Sequence, residues 1–377
     1  MPVHLRYDWP KGAKGQRQVT LDSKNAKLNQ ANKEAVWELW HRLNYANPDQ
    51  IPAIFEAGVH DDVNWNVSVP IDHISGRDAV LADYWLPLVH AFPDLKRQPY
   101  VFMGGVDESS ALYATIGGEE WVSGTGYLTG TFANDWQGIP ATGRKTNIWF
   151  GLFYVLREGK ISESYIQLDI ISVMRQAGYE VLPPSPGADG GKIPGPLAKD
   201  GICLTEYDPL ESRKTLQLMQ AMGRGLRRYV RSRDLEDMSS MEQYKYWHRD
   251  MKWYGPSGIG MCFTLEEFED FHQRPWLIGF GDRDIDRVGS GRRMGRHAEG
   301  NYAAGGIWDT AFSYHNGEYK GVPASGKLLT LRDFDWWKRD GDYLIENWVP
   351  IDMIDLFRQM GVDLMARFRE QVEARRR

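Results

Sequence analysis

Four ionisable residues of the C-terminal half, Glu299, His315, Asp335 and Asp352, are of the types that move protons in general acid–base catalysis. Asp352 follows the run Ile345-Glu346-Asn347-Trp348-Val349-Pro350-Ile351 and precedes Met353. A carboxyl at the inner end of an apolar strand loses solvation, which raises its pKa towards values where it can take and return a proton. Asp335, with Arg332 and Asp333, interrupts a strand that would otherwise be apolar, and burying charge without purpose is costly. His315 lies in Tyr314-His315-Asn316-Gly317, and Glu299 stands between His297 and Asn301. These residues predict proton transfer, with Asp352 as the principal acid/base. His315 and Asp335 would donate to or orient the substrate, and Glu299 would be a second carboxyl. Side chains alternate along a strand, so Glu346, Trp348 and Asp352 share a side. Trp348 and Trp337 are expected to hold a substrate ring, with Arg332, His297, His272, Trp253 and Tyr254 completing the binding surface. His272 also reads as a surface helix residue, and Asp335 as half of an ion pair with Arg332 or Arg296. Histidines and carboxylates together invite a metal, but their spacing matches no local ligand motif, so neither metal nor cofactor is expected.

The elements that must position these residues occur twice. Gly138-Ile139-Pro140-Ala141-Thr142-Gly143 returns 183 positions later as Gly321-Val322-Pro323-Ala324-Ser325-Gly326, and Arg175-Gln176-Ala177-Gly178 returns as Arg358-Gln359-Met360-Gly361. At the same spacing the run from Glu163 to Asp169 meets the run from Glu346 to Asp352. Earlier, at a spacing of 188, His60, Asp62, Trp65, Phe92 and Asp94 meet His248, Asp250, Trp253, Phe280 and Asp282. Two copies of one domain, the second shorter by a small deletion, account for both spacings. Each copy reads as helices followed by an antiparallel meander, the α+β order. In the first copy these are helices at 33–58 and from Asp78, and strands at 63–67, 101–103, 111–116, 121–132, 145–157 and 161–169. The second repeats the order with helices at 211–237 and 264–275, strands near 250–254 and through 297–352, and a closing helix at 354–375. The Pro- and Gly-rich stretch 183–201 marks the linker. The expected organisation is an arm at 1–29, a domain at 30–180, a linker at 181–206 and a domain at 207–377. His60 and His248, present in both copies, are expected to be structural caps.

The copies diverge inside. His315 falls on Phe132, His272 on Tyr84, and Arg332, Asp333 and Asp335 fall on Trp149, Phe150 and Leu152. The second copy is therefore expected to be catalytic and the first mainly scaffold.

Bulk properties narrow the partners. A net charge of −6 over 377 residues lacks the basic footprint that nucleic acid needs. No apolar run approaches the ~20 residues of a membrane span, and the start lacks a secretory signal core. Cys203 and Cys262 make no disulfide framework, so a cytoplasmic setting is expected. Fifteen tryptophans are suited to lining a pocket for a flat apolar ligand. Dinucleotide, P-loop and nucleophile-elbow motifs are absent. The run Val288-Gly289-Ser290-Gly291-Arg292-Arg293 is expected to form a cavity rim.

Gly321 to Lys327, then Ile345-Glu346-Asn347-Trp348, Asp352 and Phe357-Arg358-Gln359-Met360-Gly361, together with their counterparts in the first copy, resemble the SnoaL-like polyketide cyclases, a branch of the nuclear transport factor 2-like (cystatin-like) fold. The resemblance implies two tandem cone domains, each a curved antiparallel sheet wrapped over N-terminal helices. It also implies that the acid on the final strand, Asp352 or Asp169 here, shuttles a proton without metal or cofactor, and that His315 faces the pocket. The two domains would pack as an internal pseudo-dimer, with a further homo-oligomer possible. The expected activity is cyclisation, isomerisation or lyase-type cleavage of a small, mostly apolar aromatic or carbonyl-bearing substrate. The alternatives are a non-catalytic ligand carrier and a hydratase or epoxide hydrolase.

Overall fold

A computed structural model describes residues 23–106, 119–205, 207–226, 228–229, 234–281 and 292–377. The first half runs α1 (Ser23–Tyr45), α2 (Ile51–Gly58), β1 (Val59–Val67), β2 (His73–Ser75), α3, β3 (Lys96–Val106), β4 (Glu120–Thr131), β5 (Lys145–Arg157), β6 (Lys160–Leu168) and α4 (Ile170–Gln176). The second runs α5 (Pro209–Gly225), β7 (Trp247–Tyr254), β8 (Met261–Cys262), α6, β9 (Arg292–Glu299), β10 (Tyr302–Tyr314), β11 (Leu328–Asp340), β12 (Tyr343–Trp348), α7 (Met353–Met360) and α8 (Leu364–Arg376). The strands form two six-stranded sheets, ordered β2-β1-β6-β5-β4-β3 and β8-β7-β12-β11-β10-β9, so the second repeats the first. Pairing is antiparallel except for β1 with β6 and β7 with β12.

Helices α3 and α6 share an irregularity. Each opens as α-helix (Arg77–Val80; Leu265–Phe268), widens into a π turn (Leu81–Trp85; Glu269–Gln273) and closes as α-helix (Leu86–Ala91; Arg274–Phe280). Pro87 and Pro275 stand two residues beyond the π turn. A proline has no N–H for the helical ladder and its ring crowds the carbonyl one turn back; a π turn relieves both. It also aims two successive side chains inward: Tyr84 and Trp85 in one half, His272 and Gln273 in the other, are all buried.

The sheets pack against each other by their outer faces, with Phe153 against Phe334 (5.0 Å between rings) and Trp336 (5.2 Å), and Trp336 Nε1 donating to Ser123 Oγ at 3.2 Å. Both faces of the central strands are therefore buried, which is why β5 reads as a nearly continuous apolar run. Reciprocal contacts mark the seam: Val69 N–H donates to Asp352 Oδ2 (2.9 Å), and Ser257 N–H donates to Asp169 Oδ2 (3.0 Å).

Helix α1 starts at Ser23, inside the stretch expected to be an arm, because its polar residues Asn29, Asn32 and Lys33 have partners on other elements of the fold. The closing helix is two, broken at Gly361, whose φ of 97° suits glycine. His60 and His248 are strand residues rather than caps: His60 Nε2 lies 2.7 Å from the Arg157 carbonyl, and His248 Nδ1 accepts from Asp250 N–H at 3.1 Å. The expected strand at 111–116, the glycine-bearing run from Val288 to Gly291 and part of 226–237 lie outside the described residues.

Candidate functional site

The second half encloses a cavity of about 220 Å³ between α6 and the concave face of β7, β10, β11 and β12. Strand alternation settles what it contains. Leu331, Asp333, Asp335 and Trp337 of β11 face inward with Asn347 of β12, while Arg332, Phe334, Trp336 and Trp348 face the other half. From α6 the π turn contributes His272 and Gln273, and β7 contributes Trp247 and Trp253. The His272 ring stacks on Trp253 at 4.2 Å with 17° between planes.

Asp335 is the chemical centre of this cavity. Burial, and then the Asp333 carboxylate two residues along the same face, push its carboxyl well above the ordinary carboxylate range; the Asn347 amide and the charge of Arg296 oppose them. Asn347 Nδ2 donates to Asp335 Oδ1 at 3.1 Å and to the Trp336 carbonyl at 3.1 Å, so the amide orientation is fixed and the carboxyl with it. Among the described residues, two further groups in the wall have no hydrogen-bond partner, Trp247 Nε1 and Gln273 Oε1. Such groups are expensive in an apolar interior unless water or a ligand meets them. The cavity therefore offers a carboxyl that burial shifts towards its protonated form, an acceptor and a donor between aromatic walls.

Of the residues expected at a site, Asp335, Trp337, His272 and Trp253 meet here. The others are placed elsewhere. Asp352 is 4% exposed and caps α7, accepting from Asp355 N–H at 3.0 Å, while its second oxygen takes the Val69 N–H. Burial and the neighbouring Asp355 carboxylate raise its pKa to about 7, against the pull of Arg332. Arg332 lies at the seam, bonded to Asp309 (2.6 Å) and Asp72 (2.8 Å) and 3.5 Å from Asp352. Glu299 pairs with Lys33 of α1 at 2.5 Å and accepts from Gly104 N–H at 3.0 Å. His297 contacts Ser123 Oγ at 3.0 Å, and Trp348 donates to the Pro194 carbonyl at 2.8 Å while stacking on Tyr254. His315 is buried against Phe280, and its Nδ1 accepts from Ser325 N–H at 3.2 Å; burial lowers its pKa. It takes the packing place of Phe132, which stacks on Phe92. No hydrogen bond among the described residues joins His315, Asp335 and Asp352. The metal reading is not assembled either: the one group of metal-ligating types that converges among the described residues is His60, Asp61 and Asp62 on β1, two of them exposed.

Sequence reasoning missed Gln273, Trp247 and Asn347. Pro275 signalled the π turn that turns Gln273 inward, and the odd-numbered register of β11 signalled Asn347 through its pairing with Trp337. In the first half the same positions carry Trp65, Tyr84, Trp85, Leu152 and Tyr154. There Trp40 packs against Phe150 (6.1 Å) and Tyr154 (6.4 Å). A wider opening of about 410 Å³ lies at the seam, but its charged walls are largely paired with each other, Arg175 with Asp189 and Glu180, and Asp169 with Ser172 and Ser257.

Residues 36–177 match the family model of SnoaL-like polyketide cyclases. Solved structures similar to the chain include a protein from Jannaschia sp. CCS1 described provisionally as a SnoaL-like polyketide cyclase, 18% identical over 39% of this chain and 90% of that one, TM-score 0.30. A SnoaL-like polyketide cyclase from Agrobacterium tumefaciens is 20% identical over 39% and 98%, TM-score 0.29. IdmH from Streptomyces antibioticus, described provisionally as a polyketide cyclase, is 17% identical over 39% and 99%, TM-score 0.30. No curated protein matches the chain.

Proposed function

We propose that residues 36–177, which match the family model of SnoaL-like polyketide cyclases, form one domain of that family and that the second half is a SnoaL-like domain as well, packed on the first as an internal counterpart of a dimer. Its cone performs cofactor-independent acid–base chemistry on a small, mostly apolar substrate with a carbonyl group. The reading rests on one observation: a buried carboxyl, Asp335, whose pKa burial pushes well above the ordinary range, faces an aromatic cavity at the position where the first half has Leu152.

Asp335 donates its proton to the substrate carbonyl oxygen, and Asn347 keeps the donating geometry. Gln273 Oε1 accepts from a substrate N–H or O–H, and Trp337 and Trp253 flank the ring. His272, held by stacking on Trp253, is the partner base for the carbon next to the carbonyl. Polarising a carbonyl and moving the adjacent proton is the first step shared by cyclisation, isomerisation and lyase-type cleavage. The size fits a one- or two-ring molecule, since a cavity of about 150 Å³ takes benzene.

The test is turnover of aromatic ketones, lactones and polyketide-like diketones by the purified chain. Asp335→Asn should lower kcat by roughly 10²–10⁴-fold with an unchanged melting temperature. Wild-type turnover by that variant would refute the reading, and tight binding with no turnover by either protein would establish a carrier instead.

A further inference from the structure

The cone assigned to scaffolding contains an unneutralised cation. Arg97 of β3 is 5% exposed, and its main chain is clamped by Asn44, whose Oδ1 accepts the Arg97 N–H (2.7 Å) and whose Nδ2 donates to the Arg97 carbonyl (3.0 Å). The guanidinium lies over Trp40 (4.6 Å), Phe150 (5.4 Å) and Trp85 (5.6 Å). Beside it are the neutral hydroxyls of Tyr84 and Tyr154, whose burial raises their pKa against its charge. Among the described residues no carboxylate pairs with it and its Nε has no acceptor, while the Tyr154 hydroxyl hydrogen-bonds the guanidinium.

The surrounding interior has the same bias. Trp37, Trp65 and Trp85 each carry a buried indole N–H without an acceptor among the described residues. Ring contacts join all of them to Arg97's neighbourhood through Trp40, Phe55, Tyr84 and Tyr154. Donors outnumber acceptors around a positive charge. The aromatic faces satisfy the flat sides of a guanidinium, whereas its edge, which carries the N–H groups, calls for a bidentate oxyanion.

We propose that the first cone is a binding site for a carboxylate carried on a small apolar or aromatic frame, with Arg97 as its anchor. The site is separate from the chemistry assigned to the second cone and does not depend on it. The two cones differ in polarity: one holds the Arg97 cation with Tyr84 and Trp85, and the other has Asp335, with His272 and Gln273 in the places of Tyr84 and Trp85.

Calorimetry and thermal shift on the full chain carrying Asp335→Leu, which leaves the second cone no carboxyl to meet a carbonyl, test this, with acetate and benzoate as probes and acetamide and benzamide as neutral isosteres at matched ionic strength. Acetate needs room only beside the guanidinium. The carboxylates are expected to bind and raise the melting temperature, and the amides are not. Arg97→Met should weaken benzoate binding roughly tenfold or more, Arg97→Lys should retain part of it, and Asp335→Asn should bind benzoate as the wild type does. Equal responses to acid and amide would overturn the proposal, as would no response to either carboxylate or unchanged benzoate affinity in Arg97→Met. The acid–amide comparison in the Asp335→Leu chain decides the matter even if Arg97→Met does not fold.

Discussion

Asp335 and Asp352 are the same residue type on or next to neighbouring strands, both held above the carboxylate range by burial, yet they do different work. Asp352 spends both oxygens on backbone N–H groups, one at the start of α7 and one from the other half. Asp352→Asn keeps one acceptor but turns an amide N–H₂ towards Val69 N–H or Asp355 N–H. A loss of about 1–2 kcal/mol is expected by urea denaturation. The pH dependence has a definite sign. With a folded pKa of about 7 above the ordinary 3.8, the folded state binds more protons than the unfolded chain between these values. The stability Asp352 contributes is complete below its unfolded pKa and is lost as pH rises through about 7. The deficit of Asp352→Asn should therefore shrink from pH 4 to pH 7.5; a deficit that grows over that range would contradict the assignment.

At the scale of the element, β11 decides the site by parity. Arg332, Phe334 and Trp336 meet the first half and Leu331, Asp333, Asp335 and Trp337 meet the cavity, and both sets include aromatic and charged members. The first half carries Leu152 where β11 has Asp335, a substitution the fold evidently accepts. Asp335→Leu should stabilise the chain by more than about 1 kcal/mol at pH 8. Because the Asp335 pKa is raised, the wild type loses stability as pH rises through it, so the gain should be largest at high pH and shrink on acidification. Denaturation curves at pH 5 and 8 measure this, and turnover should be lost in the same variant. A gain that is larger at pH 5 would show that Asp335 is not desolvated.

For the whole molecule, the halves are joined by polar groups as well as rings. Lys33, with a fully buried side chain, leaves the first half to meet Glu299 of the second and also donates to the carbonyls of Cys203 and Thr205. Breaking a buried pair strands its partner's charge, so Lys33→Met is expected to cost about 3–5 kcal/mol. The double variant Lys33→Met, Glu299→Met should recover most of that, because the stranded charge goes too. Chemical denaturation of the single and double variants provides the cycle, and additive losses would show that the pair does not act as a unit. No described helix is long and apolar enough to cross a membrane, in keeping with a core spent on the two cones and the seam.

The sequence by itself determined the repetition of its motifs, the α+β order of each half and the chemical asymmetry between the copies. Those follow from composition and spacing, and local rules carry them: glycine at positive φ in matching turns, proline beside matching π turns, alternation in strands. It also supplied Asp335, Trp337, His272 and Trp253. What it left undetermined was which face of each strand looks into a cone. A strand with one wet face reveals its orientation through polarity, but here the second face is buried against the other half, so both faces read as interior. The seam consequently drew in Asp352, Arg332, His297, Glu299, Trp348 and Tyr254, residues that look like site residues because they are buried and polar or aromatic. His315 lies outside the cavity for a different reason, as a histidine filling a phenylalanine's place beneath a turn. Only tertiary packing separates a carboxyl that closes a helix and a domain seam from one that faces an empty cavity, because that difference lies in what stands across from the side chain.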